Sequence, residues 1–372
     1  MVKLWKKDRN LHKKGREYCH KEIESNLNNM IGIYQQIRDY PAISEIEIKH
    51  PVFIVSWLRT GSTLLHNLVA VDPRNHTPYL WELLYPLPHT CSADIKEDIK
   101  DRKLLAHKEM EEFYNSGFED FRCIHELRSE YPDECCHIFE RCFASRHTPI
   151  MGQYMQEYTD WFMNLSSEQI DNIYSLYKSE LQYITFCKRK YNVGNHIAPK
   201  QWFLKDETHM YFLENLLKTF PDAIIINLHR DPIQVLGSTI SGFYIIMKVY
   251  YRIEDIDGKE LARRCLEQML VCKQRLLYLR SRVKELTGRD ESEVFVDIKF
   301  DELCRNPKKT VMDLYDKIGK SCTDTHLLEM ITYLLENPRY KHGKNLYNIT
   351  DFGLQVAEVR SQFLDYIDKF LS

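Results

Sequence analysis

The residues best suited by type to do chemistry fall in one short run, Trp57–Thr63. Within it, Arg59-Thr60-Gly61-Ser62-Thr63 combines a permanent cation, a glycine and several hydroxyls. That combination suits an anion. The planar guanidinium fork of Arg59 matches phosphate or sulfonate oxygens. Gly61 lets the backbone turn tightly and approach a ligand, and Ser62 and Thr63 add hydroxyl donors. The competing interpretation is an ordinary helix cap, because Thr60 and Ser62 are also good N-cap residues. The GxxxxGK[ST] spacing of a nucleotide-triphosphate loop does not occur.

A second anion feature lies much later. Arg230 closes the apolar run AIIINLH, and Ser238 follows eight positions on in LHRDPIQVLGST. Open α/β sheets bind ligands at strand ends, and a helix after Pro232 returns Ser238 toward Arg230. An ion pair between Arg230 and Asp231, with Ser238 a plain helical serine, is the bland alternative. Other candidates are scattered: Glu82 in WELLYP, Lys205-Asp206 after a short apolar run, His125 in CIHELRSEYPDEC, and His209 four positions past Lys205. If Lys205 and His209 are both helical, they share a face.

These side chains need strands and helices to hold them. Pro51 opens a β-branched run, Val52–Val55, and Leu64, Leu65, Leu68 and Val69 then recur at helical spacing, which predicts strand, loop, helix. Such a turn gathers unpaired N–H groups over Thr60–Leu65 and favours an anion. IAPKQWFLKDETHMYFLENLLKTF predicts a strand ending near Lys205 and a helix to Phe220. AIIINLH is continuously apolar, as in a parallel strand covered on both faces. VFVDI (294–298) is one more strand, and helices are expected over 96–115, after Pro132-Asp133-Glu134, over 167–186, 259–286 and 307–318, and at the C-terminus. Residues 73–90, rich in Pro and His, are expected to be irregular. Strands alternating with helices predict an α/β fold: a single domain with a central parallel sheet flanked by helices, and helical insertions. Residues 1–45 are expected to form a basic helical lead-in to a domain spanning 46–372.

Composition narrows the class. The 372 residues carry 51 basic and 54 acidic side chains, a net charge of -3, so no positive field argues for nucleic acid. Eleven cysteines form no CxxC unit, which speaks against a zinc ribbon or redox pair. Reduced thiols and a start without a secretory apolar run predict a cytoplasmic protein. No stretch approaches the length of a membrane span.

The two anion motifs resemble those of the PAPS-dependent sulfotransferase superfamily. Its members carry a 5′-phosphosulfate loop, (K/R)-(S/T)-G-(S/T)-T, after the first strand, and a 3′-phosphate motif with Arg and then Ser eight residues on. Arg59–Thr63 matches the first, and Arg230 and Ser238 the second. The chain is similar to the branch with Arg in the loop: Leu58–His66, Asp72-Pro73, Trp81-Glu82, Leu204-Lys205, His209 and Phe220–Ala223 follow its pattern, with a weaker echo at Tyr347–Leu354. Tyrosylprotein sulfotransferases look similar at the site, with an Arg loop, a downstream glutamate and a Lys-Asp pair; they are anchored in the secretory pathway, and no anchor is visible here. The phenol and steroid enzymes place lysine in the loop and differ.

The resemblance implies sulfonyl transfer from PAPS to a hydroxyl or amine of a small-molecule acceptor of hydrophobic or phenolic type. The product is adenosine 3′,5′-bisphosphate, and no metal is expected. The N–H groups of Thr60–Leu64 and the hydroxyls of Ser62 and Thr63 would hold the 5′-phosphosulfate, and Arg230 and Ser238 the 3′-phosphate. Arg59 and Lys205 would stabilise the leaving group. Glu82 is the expected general base, its apolar setting lifting its pKa, with His125 and His209 as rivals. Trp57 is a candidate adenine wall, and KHGKN (341–345) a late basic contact. A homodimer is compatible with all of this. Two alternatives stand: an ATP-dependent phosphoryl transferase with Asp297 as its metal-holding acid, or a catalytically silent nucleotide-binding adaptor.

Overall fold

Among the described residues the sheet has five strands: β1 (Val52–Ile54), β2 (Asn75–His76), β3 (Gln201–Lys205), β4 (Ile224–His229) and β5 (Phe295–Lys299). Every strand pair is parallel, in the order β2-β3-β1-β4-β5. The computed structural model describes residues 2–88, 95–145, 156–190, 200–343 and 347–372. The chain divides into two compact units: Met1–Ile48 with Pro78–Ile197 and Gly242–Asp257, and Lys49–Thr77 with Ala198–Ser241 and Gly258–Ser372.

The second unit holds the sheet. Side chains alternate across a strand, so Val52 and Ile54 face one way and Phe53 the other. Val52, Ile54, Phe203, Ile226, Leu228, Val296 and Ile298 form one core with Leu65, Leu68 and Val69 of the helix Ser62–Ala70. Val311, Leu314 and Tyr315 of the helix Pro307–Lys317 and Met330 of the helix Asp324–Glu336 complete that face. On the other face Phe53 meets Phe220 and His209. This is the central parallel sheet flanked by helices that the apolar runs predict. Leu65 and Leu68 are fully buried. Burying a leucine is worth about 1.5–3 kcal/mol, so the core fixes the helix Ser62–Ala70 on the sheet and the loop before it.

The first unit is helical among its described residues. Its helices include Val2–Lys7, Lys13–Asp39, Ile95–Phe113, Cys136–Arg141 and Ser167–Lys190. Gly15 lies so close to Tyr250 that a Cβ there would meet its carbonyl oxygen at 2.5 Å. Ile33 and Ile43 pack with Tyr183.

Several elements differ from the sequence expectation. Residues 73–90 contain β2 and a one-turn helix, Leu80–Leu84. β2 is too short to show periodicity and is held by Asn75, whose side-chain amide donates to Val69 O at 2.7 Å and Tyr315 Oη at 2.8 Å. The strand ends at Lys205 and a helix, Leu213–Thr219, follows as expected, but it starts late: Asp206 Oδ1 accepts the Thr208 N–H at 2.6 Å, which first turns the chain into a 3-10 segment, Thr208–Tyr211. Lys205 therefore ends a strand and shares no helical face with His209. The helices Phe300–Arg305 and Asp324–Glu336 are additional.

Candidate active site

The loop between β1 and the helix Ser62–Ala70 is built by one left-handed glycine. Gly61 has φ 89° and occupies the N-cap position. A Cβ there would also press on Phe300 and Leu303 at 3.1 and 3.2 Å. Neither Thr60 nor Ser62 is the cap. Thr60 is fully buried, and its hydroxyl donates back to Trp57 O at 2.8 Å. It therefore shapes the loop from inside. Gly61, Ser62, Thr63 and Leu64 are half-buried at the helix start, where the first N–H groups have no intrahelical acceptor and the helix dipole is positive.

One cation reaches this N-terminus directly and another flanks it in the loop. Lys205, the last residue of β3, is 2% exposed and donates from Nζ to Thr63 Oγ1 at 3.0 Å. It gets there because β3 pairs in parallel with β1, with Ile54 opposite Lys205. Arg59 also has left-handed backbone, φ 67°, unusual for a residue with a side chain. Its Nε donates to Ser238 Oγ at 3.1 Å, and its carbonyl accepts Arg230 Nη1 at 2.6 Å.

The two anion motifs are thus one structure. β1 and β4 are neighbours, so the loop after one meets the end of the other. Arg230 also donates to Gln234 Oε1 at 3.2 Å and lies 4.2 Å over the Phe300 ring. Tyr347 stands beside it, its hydroxyl 3.4 Å from Arg230 Nη2. Lys344 and Asn345 of KHGKN fall outside the described residues. Asp231, the ion-pair partner of Arg230 in the bland alternative, accepts Arg360 Nη2 at 2.9 Å.

Trp57 does not offer an adenine wall. It is 4% exposed and packs edge-on to Phe363 and against Tyr366, with centroids 5.7 and 4.6 Å away. Asp297 is likewise committed: it accepts Arg280 through both oxygens and pairs with His229 at 2.6 Å. A carboxylate so occupied has little left for a metal ion.

The base candidates divide between the units. In the sheet unit His209 is fully buried, edge-on to Phe53 at 5.0 Å, and burial pushes its imidazole down to about 3. A side chain sealed in this way is badly placed to take a proton from an acceptor. It should instead be visible in stability. The folded pKa lies below the ordinary 6.5, so the contribution is present above that value and lost as pH falls toward 3, at up to about 1.4 kcal/mol per pH unit. Urea unfolding at pH 6 and pH 4 is expected to give a shallower pH slope for His209→Leu than for the native chain. Parallel slopes would mean that the imidazole is solvated.

In the helical unit Glu82 is buried, and its surroundings are not apolar. Its Oε2 accepts Lys188 Nζ at 2.7 Å and the Tyr79 N–H at 3.0 Å; Oε1 takes neither bond. Lys188 was not anticipated. It lies 106 positions from Glu82, beyond the 167–186 stretch, and nothing in the sequence pairs them. In the same unit His125 meets Asp133 Oδ1 at 3.1 Å and keeps 17% of its side chain exposed. Burial alone would raise Asp133, but His125 and His137 outweigh it and hold its carboxyl well below the usual range. The result is a His–Asp dyad. Cys136, His137 and Glu140 bring donor atoms within 4.8 Å of one another. Burial would lower His137, yet its hydrogen bonds to the Asp133 and Glu140 carboxylates raise it to about 10.

A strand-end arginine, a glycine-turned helix N-terminus and a buried lysine come together as a candidate anion site on a parallel α/β sheet. A model of the Sulfotransferase family matches residues 51–324, most of the chain. The protein therefore belongs to the sulfotransferase family and is an enzyme of sulfonyl transfer. It is similar to the omega-hydroxy-beta-dihydromenaquinone-9 sulfotransferase Stf3 of Mycobacterium bovis, with 26% identity over 353 residues, 93% of this chain and 81% of the relative. Stf3 of Mycobacterium tuberculosis matches equally. Among solved structures, sulfotransferase STF9 from Mycobacterium avium superposes with a TM-score of 0.83 at 22% identity, over 97% of this chain and 87% of that one. STF1 from Mycobacterium tuberculosis gives 0.77 at 20%, over 97% and 89%. These two share the fold.

Proposed function

We propose that this sulfotransferase uses PAPS as donor and transfers its sulfonyl group to the hydroxyl of a small hydrophobic acceptor. One observation carries the donor assignment: Arg59 reaches Ser238 at 3.1 Å while Arg230 holds the Arg59 carbonyl at 2.6 Å. A helix N-terminus alone accepts any anion. A second cation and hydroxyl beside it suit a ligand with two separated anionic groups, as in a 3′-phosphorylated nucleotide.

PAPS supplies the activated sulfonyl group and a phosphate leaving group. Gly61–Leu64 would bind the 5′-phosphosulfate through N–H groups, with the hydroxyls of Ser62 and Thr63. Arg59 and Lys205 would stabilise charge as it grows on the leaving oxygen, the kind of preorganised contribution that dominates such transfers. Arg230 and Ser238 would hold the 3′-phosphate. Glu82 would take the acceptor proton on Oε1 while Lys188 and the Tyr79 N–H fix the carboxylate through Oε2. A second assignment rests on the His125–Asp133 contact, in which the carboxylate orients the imidazole as base.

The acceptor class draws support from Stf3, whose name specifies an omega-hydroxy menaquinone derivative; a lipid-like alcohol is the analogous choice here. Among the described residues no helix is long and apolar enough to cross a membrane. The described cysteines are free thiols, including the adjacent buried pair Cys135 and Cys136, which favours a reducing, cytoplasmic setting.

The test is a thermal-shift comparison of adenosine 3′,5′-bisphosphate, 5′-AMP, and ATP with magnesium. The bisphosphate is expected to stabilise the protein most. A larger shift with ATP and magnesium would favour phosphoryl transfer, and no response to any nucleotide would favour a silent adaptor.

A further inference from the structure

The residue before Arg230 is part of a hydrogen-bonded chain that ends in the last helix of the protein. His229 is 1% exposed, with Nε2 2.6 Å from Asp297 Oδ1 and Nδ1 2.8 Å from Tyr366 Oη. Burial keeps its imidazole below the ordinary pKa and neutral, so it carries one N–H. Asp297, bound on both oxygens by Arg280, can only accept. Nε2 therefore donates to Asp297, and Nδ1 must accept the Tyr366 hydroxyl proton. Tyr366 O–H, His229 N–H, Asp297 and Arg280 thus form one chain with every direction assigned.

Tyr366 touches the other anion motif as well. Its ring lies 4.6 Å from that of Trp57, where the loop toward Arg59 begins. Phe370, one turn later, stacks flat on His229 at 4.2 Å and 8°. The segment is tied down from outside: Arg360 Nη2 donates to Asp231 Oδ2 at 2.9 Å, and Lys273 Nζ donates to Gln362 O and Asp365 Oδ1, each at 2.8 Å. Residues on both sides of Arg230 are thereby held by the segment from Arg360 to Phe370.

We propose that Tyr366 is a positioning residue for 3′-phosphate selectivity, holding His229, the neighbour of Arg230, and the start of the Arg59 loop in one geometry. This rests on the assignment of Arg230 and Ser238 to the 3′-phosphate. Tyr366→Phe keeps the ring on Trp57 and removes the hydroxyl that donates to His229, the neighbour of Arg230. Losing that link while leaving buried partners unpaired is expected to weaken adenosine 3′,5′-bisphosphate about tenfold. Binding of 5′-AMP should stay within about twofold, since its phosphate sits on the loop N–H groups.

Calorimetry with both nucleotides reads the ratio of the two dissociation constants. A merely structural role would weaken both alike. In an Arg230→Ala background, Tyr366→Phe should no longer change the ratio, because there is no guanidinium left to position. If Tyr366→Phe does not fold, Arg360→Gln decides, since its side chain is 45% exposed: the ratio should fall about threefold, the scale of one solvent-exposed ion pair, and an unchanged ratio overturns the proposal. A native protein without bisphosphate preference would sink the donor assignment itself. A native preference that Tyr366→Phe leaves intact would sink this inference alone.

Discussion

Arg230→Ala is expected to weaken adenosine 3′,5′-bisphosphate by about a hundredfold while 5′-AMP binding falls far less. A charge-assisted hydrogen bond to phosphate contributes about 1.5–3 kcal/mol, and Arg230 is preorganised to make one. Arg59 O, Gln234 and the Phe300 ring already hold its guanidinium, so little side-chain freedom is lost on binding. Arg230→Lys should recover only part of the loss. A lysine supplies the charge as a point but cannot bond the Arg59 carbonyl and a phosphate together in the same planar fork. The Arg59 carbonyl matters because Arg59 sits at φ 67°, a conformation that persists only when its surroundings over-determine it. Titration calorimetry at fixed salt measures both variants against both nucleotides. Equal loss for the two nucleotides would mean that Arg230 holds the loop and does not read the 3′-phosphate.

The legible part of this site is the part whose signal is local. The strand, glycine turn and helical leucines around Gly61 stand within twenty residues, and AIIINLH announces a buried strand with Arg230 at its end. Neither run states that β1 and β4 are neighbours. That adjacency, with Val52 opposite Ile224, brings the two motifs into one candidate site. The same limit hides Lys188 from Glu82 and Tyr366 from His229, which lie 106 and 137 positions apart. Trp57 misled for another reason. An aromatic at a strand end serves equally as a ligand wall or as core, and here Phe363 and Tyr366 take both sides of the choice away. β2 has two residues, fewer than any periodicity needs, and its place is fixed by the Asn75 side chain.

Glu82→Gln is expected to lower turnover by a factor of about 100 to 10,000, the range of a lost general base, with donor binding nearly unchanged. The substitution has a second consequence that must be separated from the first. Glu82 and Lys188 are both buried and 2.7 Å apart, and removing one charge leaves the other unpaired at a cost of about 3–5 kcal/mol. Loss of activity in the single variant is therefore ambiguous between chemistry and local unfolding. Adding Lys188→Met resolves it, because an amide beside a thioether leaves no buried charge. If Glu82 is the base, the double variant should regain its melting temperature and stay slow. If the carboxylate only neutralises Lys188, the double variant should regain both stability and turnover. In that case His125, held by Asp133 at 3.1 Å and open on one side, takes the role of base, and His125→Asn should then carry the loss that Glu82→Gln did not.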